Sequence, residues 1–309
     1  MNYNLDSSIG IKHAIFALLA LVIVGLLGLA FIQNEFPEWK KYQKEYYKLL
    51  AAKTGDKKPL KTPIRVKQVW NQELNRIDRC TTCHLGIDKP NFQDAPQPYK
   101  THPMLSGFMS KHPFEKFGCT ICHDGDGQAV SVEATHGHVE HLNEPLLTGV
   151  YVETSCTRCH MELFAEEVEF PETPKLMEGK RLVNELGCGA CHTINQFGTA
   201  GTMAPDISGF GTKKELAFML LHEFTFKYLK GEHSKRNWEW EHFIDPQKIM
   251  PGNPAQNLPP TIMPNWGLSD DEATALSVLV LSLRDYKVEN IPMKYIPKLK
   301  NHKGFIQYR

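Results

Sequence analysis

The sequence has no cysteine outside four closely spaced pairs, no excess of charge and few long apolar runs. Lysine plus arginine and aspartate plus glutamate number 35 each, so a general electrostatic attraction to nucleic acid is not expected, and no nucleic-acid partner is predicted. Charged residues make up 23 % of the chain, which argues against a protein with many membrane spans. The cysteines are therefore the feature that calls for a specific explanation.

All eight cysteines belong to one repeated pattern, in which a Cys-x-x-Cys pair is followed at once by histidine. The four copies read CTTCH, CTICH, CTRCH and CGACH. The cysteines are Cys80 and Cys83, Cys119 and Cys122, Cys156 and Cys159, and Cys188 and Cys191; the histidines are His84, His123, His160 and His192.

The invariant histidine decides between three kinds of cysteine site. Disulfide bonds need no histidine at a fixed offset, and zinc sites combine two Cys-x-x-Cys pairs, or one pair with a spaced pair of histidines. Cys-x-x-Cys-His is the attachment signature of c-type haem, because two thiols one turn apart can add to the porphyrin vinyl groups while the histidine reaches the iron. The sequence therefore predicts four covalently attached haem c groups, with the motif histidines as iron ligands.

One long uncharged segment, Ala14 to Ile32, predicts an N-terminal membrane anchor. It is long enough to cross most of a hydrocarbon core of about 30 Å. A cleaved signal peptide is the alternative, since Gly28-Leu29-Ala30 is an acceptable cleavage site, but the apolar run is longer than usual. More lysines follow the run than precede it, which by itself favours a cytoplasmic bulk. Haem attachment normally occurs outside the cytoplasm, so we expect a single-pass protein of the cytoplasmic (inner) membrane with its bulk on the periplasmic side.

A second helix is predicted directly after the anchor, with Pro37 in its first turn and Gly55 at its end. Trp39, Tyr42 and Tyr46 share one face of it with the leucines that follow. Three locations are open for this face: the membrane interface, a partner subunit, or the haem-binding part of the same chain.

The middle of the chain is predicted to be a loop-rich module with three haems, because glycine, proline and histidine are frequent and long helical periodicity is absent. Each iron needs a sixth ligand or an open position, and histidine and methionine are the usual donors. Three sixth ligands are expected from a pool of four histidines, whose pairing with individual haems stays open, with His138 less favoured and Met104, Met109 and Met161 in reserve. The pool is His102, His112, His136 and His141. Two histidine ligands leave no position for a substrate, which favours electron relay over catalysis.

The hydrophobic pattern of the sequence changes near residue 174, and from there amphipathic helices are predicted around the fourth motif. One helix leads into Cys188. A second is opened by a capping-box pattern at Thr212 to Glu215 and ends at Gly231, and a third is opened in the same way at Ser269 to Glu272.

Residues 176–285 resemble class I cytochrome c. The resemblance rests on CGACH, on Ala204-Pro205-Asp206 and on TIMPNWGLSDDEATALSVLVLSL. It implies that Met263 is the sixth ligand of the fourth haem, with Met250 as the rival, and that Pro205 lies beside His192 and orients it. A long insertion between the second and third helices departs from the family pattern.

The predicted fold class is therefore mainly α, with one N-terminal transmembrane helix, a loop-rich three-haem module and a C-terminal all-α class I cytochrome c domain. Five segments are expected. They are the anchor (residues 1–35), a juxtamembrane helix and linker (36–65), the three-haem module (66–173), the monohaem domain (174–288) and a C-terminal tail (289–309).

The segments RCTTCHLGIDKP and HPFEKFGCTICHDGDG resemble membrane-anchored multihaem cytochromes that accompany cytochrome b and Rieske-type proteins in bacterial quinol-oxidising complexes. This resemblance implies electron relay from such membrane subunits to a soluble cytochrome or a terminal oxidase or reductase. Alternatives are a quinol dehydrogenase of the NapC/NrfH type, the tetrahaem donor of photosynthetic reaction centres and, less favoured, a multihaem reductase with an open haem.

Overall fold

The computed structural model describes residues 5–137 and 144–297, and it confirms a mainly helical protein. The helices are α1 (Leu5–Glu35), α2 (Glu38–Thr54), α3 (Phe108–Lys111), α4 (Phe114–Phe117), α5 (Thr120–His123), α6 (Val132–His136), α7 (Pro174–Glu185), α8 (Glu215–Phe226), α9 (Lys235–Ile244), α10 (Pro246–Ile249), α11 (Asp270–Ser282) and α12 (Tyr286–Glu289). Two antiparallel hairpins pair β1 (Val69–Asn71) with β2 (Arg76–Asp78), and β3 (Thr193–Ile194) with β4 (Thr199–Ala200).

The chain divides into two compact units. The first comprises Met1–Lys67, Thr81–Leu105 and Val130–Val132, and the second comprises Gln68–Cys80, Ser106–Ala129 and Glu133–Arg309. The division falls inside the first Cys-x-x-Cys-His motif, between Cys80 and Thr81. The five segments expected from the sequence remain predictions.

Helix α1 contains the whole apolar segment from Ala14 to Ile32. By length and composition it is able to cross a membrane, and its described apolar side chains are exposed. Its 31 residues rise about 46 Å at 1.5 Å per residue, more than a hydrocarbon core requires.

Helix α2 packs on the segment that follows the first motif, within the first unit. Pro37 directly precedes the helix instead of lying in its first turn, whereas Gly55 ends it with the left-handed φ of +69°, as the sequence predicts. The ring of Tyr46 is buried, and its centroid lies 5.5 Å from that of Phe92 and 6.1 Å from that of Tyr99. Of the three locations considered for this aromatic face, the structure shows the one on the same chain.

A fully buried side chain, Gln43, adds a polar link to this packing. Its Nε2 donates to the Arg65 carbonyl at 2.7 Å and to the Thr82 carbonyl at 3.0 Å, and its Oε1 accepts from the Arg65 amide at 3.1 Å. Because both ends of the amide are satisfied, this buried polar group stabilises the unit instead of costing free energy.

Among its described residues, the part of the second unit that precedes α7 contains the β1–β2 hairpin, the helices α3 to α6 of four or five residues each, and short 3₁₀ helices. The 3₁₀ helix Gly149–Arg158, at 10 residues, is the longest regular element among the described residues of this part. The short elements agree with the absence of long helical periodicity in the sequence.

The main hydrophobic core lies where α7 crosses α11. Leu176, Val278 and Leu279 are fully buried there. Gly179 permits the close approach, because a Cβ at this position would overlap the Ala275 carbonyl oxygen. At the start of α11 the Ser269 hydroxyl accepts the Glu272 amide and the Glu272 carboxylate accepts the Ser269 amide, so the predicted capping box is confirmed.

The second predicted capping box is wrong. Helix α8 begins after Lys214 without a side-chain cap and ends at Phe226, not at Gly231. The hydroxyl of Thr212 accepts the Asp285 amide, and the Glu215 carboxylate accepts the Lys235 amide at 2.5 Å. Both side chains of the pattern therefore hold distant parts of the chain, which a local pattern does not reveal.

Candidate haem-attachment sites

The fourth motif starts where α7 ends, after a left-handed turn at Gly187. A single 3₁₀ turn, Cys188–Ala190, carries the first cysteine, and the loop that follows folds back to hydrogen-bond the motif through the Ala204 amide and the Cys191 carbonyl at 3.0 Å. This loop also places the Pro205 carbonyl 2.7 Å from Nδ1 of His192. The expected contact between Pro205 and His192 is confirmed, and it leaves Nε2 of His192 to face a metal.

Both methionines considered as the sixth ligand of the fourth haem pack half-buried on the same hydrophobic core. The Thr261 amide donates to the Met250 carbonyl at 2.9 Å, and the Thr261 hydroxyl accepts the Met263 amide at 3.1 Å. Thr261 therefore links the two methionines, and Gln247 Nε2 donates to the Met263 carbonyl at 2.5 Å. The role of Met263 as ligand stays a prediction.

Two histidines near the fourth motif were not found by sequence reasoning. His222 stacks on Phe218 at 4.1 Å between ring centroids, and His242 stacks on Trp238 at 4.8 Å. Burial, together with the smaller effects of nearby His192 and His222, lowers the pKa of His242 to about 4. The available signal was the spacing, since an aromatic residue four positions before a histidine on a helix lies on the same face.

The second and third motifs hold their histidines in the same way as the fourth. Nδ1 of His123 lies 3.0 Å from the Leu147 carbonyl, and Nδ1 of His160 lies 2.8 Å from Oε1 of Glu162. An acceptor at Nδ1 places the proton there and leaves the Nε2 lone pair to bind a metal. These residues therefore fit a haem iron. His84 is half-buried in the first unit.

The eight cysteines, all within the described residues, form no disulfide bond. Burial raises the pKa of Cys156 to about 12 and the pKa of Cys159 and Cys188 to about 11. Cysteines of dithiol redox centres have a lowered thiol pKa, so these pairs do not resemble such a centre. Half-buried thiols beside an oriented histidine fit covalent attachment of haem c.

A buried carboxylate joins the first and second motifs within the second unit. Oδ1 of Asp78 accepts the Cys80 amide at 3.1 Å, and Oδ2 accepts the amides of Cys119 at 2.7 Å and Thr120 at 2.8 Å. The side-chain ligand atoms of Asp78, Cys80 and Cys119 lie within 4.8 Å of one another. Because three backbone N–H groups already occupy the carboxylate, the cluster is explained as a structural link between two attachment segments.

A buried arginine joins the second and third motifs. Arg158, the second spacer residue of CTRCH, donates through Nη2 to Oδ1 of Asp124 at 2.5 Å and through Nη1 to the Ile121 carbonyl at 2.9 Å. Its Nε lies 3.7 Å from the Glu289 carboxylate. Burial alone would lower the pKa of Arg158, but Asp124 and Glu289 raise it above its ordinary value, so the guanidinium is charged.

The third motif also contacts the segment that contains the fourth. The hydroxyl of Thr157 donates to the Ser282 carbonyl at the end of α11, at 2.8 Å. Cys156 packs against the same hydrophobic core as Cys188. Cys80, the second motif, the third motif and the core of the fourth are thus joined by successive direct contacts.

The candidate sixth ligands of the middle module differ in how they are held. Nδ1 of His112 lies 3.3 Å from the Phe108 carbonyl, whereas Nδ1 of His102 accepts the Met104 amide at 3.2 Å. Burial lowers the pKa of His112, the hydrogen bond to the Phe108 carbonyl offsets this in part, and the proximity of His160 lowers the pKa again. His136 is half-buried at the end of α6. His141, like His138, lies outside the described residues.

A cavity of about 500 Å³ lies beside these contacts in the second unit. Its lining carries both signs of charge, with an ion pair between Arg284 and Glu289 at 2.6 Å next to Asp124 and Arg158. Such a lining does not suit the apolar faces of a porphyrin.

Residues 176–284 match the family model for cytochrome c. Neither the curated proteins nor the solved structures gave a match to the chain. The matched segment is a cytochrome c domain, which implies covalently bound haem c and an electron-transfer role for this part of the chain.

Proposed function

We propose that this protein is a membrane-anchored tetrahaem cytochrome c that relays electrons from a quinol-oxidising complex to a periplasmic acceptor. The haem irons supply the chemistry by cycling between two oxidation states, and the protein positions each haem and tunes its potential. The cysteines of the four motifs hold the haems, and the four motif histidines bind the irons.

The observation that carries the proposal is the chain of direct contacts among the motifs. Asp78 links Cys80 to Cys119, Arg158 links the second motif to the third, and Thr157 links the third to the cytochrome c domain. A relay requires neighbouring haems, and the contacts that run from Cys80 through the second and third motifs to the end of α11 support such an arrangement. Haems that each worked independently would not need to be close to one another.

Two further features support the location and the partners. Helix α1 has the length and composition of an anchor, and haem attachment to Cys-x-x-Cys-His takes place outside the cytoplasm. The sequences around the first and second motifs resemble cytochromes that accompany cytochrome b and Rieske-type subunits. We therefore assign such subunits as the electron donor, and a soluble cytochrome or a terminal oxidase or reductase as the acceptor.

The first experiment measures the haem content of the purified full-length chain. Intact mass and the pyridine haemochrome spectrum are expected to give four covalent haems per chain. The second experiment is affinity purification from detergent-solubilised membranes, followed by haem spectra and mass spectrometry. Recovery of a b-type cytochrome supports the proposal. If the protein carries four haems but only a reaction centre or a terminal reductase is recovered with it, the proposed electron donor is wrong.

A further inference from the structure

Two histidine rings in the second unit lie at the separation that one shared metal ion requires. The ring centroids of His112 and His160 are 6.0 Å apart, with an angle of 66° between the ring planes. Two imidazoles that bind one ion from opposite sides, with metal–nitrogen bonds of about 2 Å, have centroids about 6 Å apart. His160 is the motif histidine of CTRCH, and His112 lies in KHP, 48 residues earlier in the sequence.

In both rings, Nδ1 lies within hydrogen-bonding distance of an acceptor, which leaves Nε2 as the nitrogen that can bind a metal. The Phe108 carbonyl lies 3.3 Å from Nδ1 of His112, and Oε1 of Glu162 lies 2.8 Å from Nδ1 of His160. An acceptor at Nδ1 fixes the proton on that atom, so each ring offers the lone pair of Nε2. His102 differs, because its Nδ1 accepts the Met104 amide and the proton of the neutral ring is therefore on Nε2.

The position of His112 is fixed by packing. Its ring stacks on Phe108 at 4.4 Å with an angle of 19° between the planes, and the Phe117 ring lies 5.7 Å away. His112 directly follows α3, and Pro113 directly precedes α4, so the backbone on either side has little freedom. A ligand held in advance in this way loses little entropy when the metal is bound.

We propose that His112 is the sixth ligand of the haem iron that Cys156, Cys159 and His160 hold. The inference rests on the proposed function, because it assumes that the third motif carries haem. It assigns one member of the histidine pool to one haem, and it closes that haem to exogenous ligands. The third-motif haem is then an electron carrier with two histidine ligands and a comparatively low potential.

The test uses the full-length protein in detergent, with the variants His112→Ala and His112→Met. Removal of the imidazole is expected to convert one haem of four from low spin to high spin. Electron paramagnetic resonance measures this change, as do the near-infrared magnetic circular dichroism bands that report the iron ligands. The reduced variant should bind about one equivalent of carbon monoxide that the parent protein does not bind. Added imidazole should restore the low-spin signal of His112→Ala.

The methionine variant provides a readout that does not require an open haem. Thioether sulfur favours reduced iron, so one haem of His112→Met should titrate at a more positive potential while the other three stay unchanged. If His112→Ala is recovered without its haems, this potential decides the question. His233→Ala, which removes an exposed histidine from the second unit, is the matched control and should behave as the parent.

Haem counting separates the two levels of the proposal. A parent protein with fewer than four haems and an unmodified third motif contradicts the proposed function. Four haems in the parent and in both variants, with no high-spin haem in His112→Ala and no shifted potential in His112→Met, contradict the assignment of His112 alone.

Discussion

The carboxylate of Asp78 accepts the backbone N–H of Cys119 at 2.7 Å, across 41 residues of sequence. The same side chain accepts the amide of Cys80, so one buried carboxylate fixes the first cysteine of two successive motifs. Both cysteines stand at the start of a short helical turn, where backbone N–H groups have no partner within the turn. Asp78 therefore accepts hydrogen bonds from the free N–H groups at the start of both turns and holds the two attachment segments together.

Replacement of Asp78 by alanine should weaken this link strongly. Three backbone N–H groups would lose a buried, charged acceptor, and we expect the free energy of unfolding to fall by about 2–5 kcal/mol. The midpoint of urea unfolding, followed by far-ultraviolet circular dichroism, measures the effect. Asp94→Ala, which removes an exposed partner of Lys53, is the control and should leave the midpoint unchanged. An equal midpoint in both variants would show that Asp78 is not a structural link.

Replacement of Arg158 by methionine should lower the free energy of unfolding by more than the loss of a surface ion pair does. The change leaves the Asp124 carboxylate without its buried partner and Glu289 with Arg284 alone, and we expect a loss of roughly 3–5 kcal/mol in the free energy of unfolding. In a double-mutant cycle, adding Asp124→Asn should recover part of the loss. Arg181→Met removes an exposed pair with Glu185 and is the control. If Arg158→Met and Arg181→Met have the same free energy of unfolding, the buried network around Arg158 does not stabilise the fold.

The elements that sequence reasoning predicts best are those whose signals are local. Pro37 and Gly55 bound α2, and Ser269 with Glu272 opens α11, because each of these effects acts within one helical turn. The same reasoning fails at Thr212 and Glu215, whose side chains bond Asp285 and Lys235 instead. The local pattern was present, but tertiary contacts competed for the same oxygen atoms.

The candidate sites follow the same division. The cysteines and motif histidines are visible as a fixed five-residue pattern, and the Pro205 contact with His192 follows from the cytochrome c resemblance. The ties made by Asp78 and Arg158 have no sequence signal, since nothing periodic marks a contact across 41 or 34 residues. His222 and His242 lie outside the cluster of histidines that follows the first motif, and the sequence around them carries no haem-ligand pattern.

The crossing of α7 and α11 should not tolerate even one added methyl group. At Gly179→Ala the new Cβ would overlap the Ala275 carbonyl and press on Leu279, and we expect a loss of about 1–3 kcal/mol despite the better helix propensity of alanine. The thermal midpoint of the cytochrome c domain, followed at the haem Soret band, measures the change. Gly25→Ala in α1, where no other residue of the chain approaches the added Cβ, is the control. An unchanged midpoint at Gly179→Ala would contradict the close crossing.

Glu239 is a buried acid without the partners that such a group normally has. It lies on α9 at 2 % exposure, and neither carboxylate oxygen has a hydrogen-bond partner within the described part of the chain. Lys235, one turn earlier, directs its ammonium group to the Lys213 carbonyl instead, at 2.6 Å. Burial raises the pKa of Glu239 well above its ordinary value, and the nearby positive charge of Lys235 offsets this only in part.

This raised pKa predicts how stability depends on pH. The folded state binds the proton of Glu239 more tightly than the unfolded state, so stability is lost as the pH rises above the ordinary value of 4.5. Glu239→Gln abolishes that ionisation. We expect the variant to be more stable than the parent at pH 7.5 and to differ little from it at pH 4.5, because an unpaired buried carboxylate costs free energy only when it is charged. Thermal midpoints of both proteins across this range test the prediction, with Glu185→Gln, at an exposed carboxylate, as the control. Because only a buried carboxylate gives a difference that grows with pH, a constant difference would place Glu239 in contact with water.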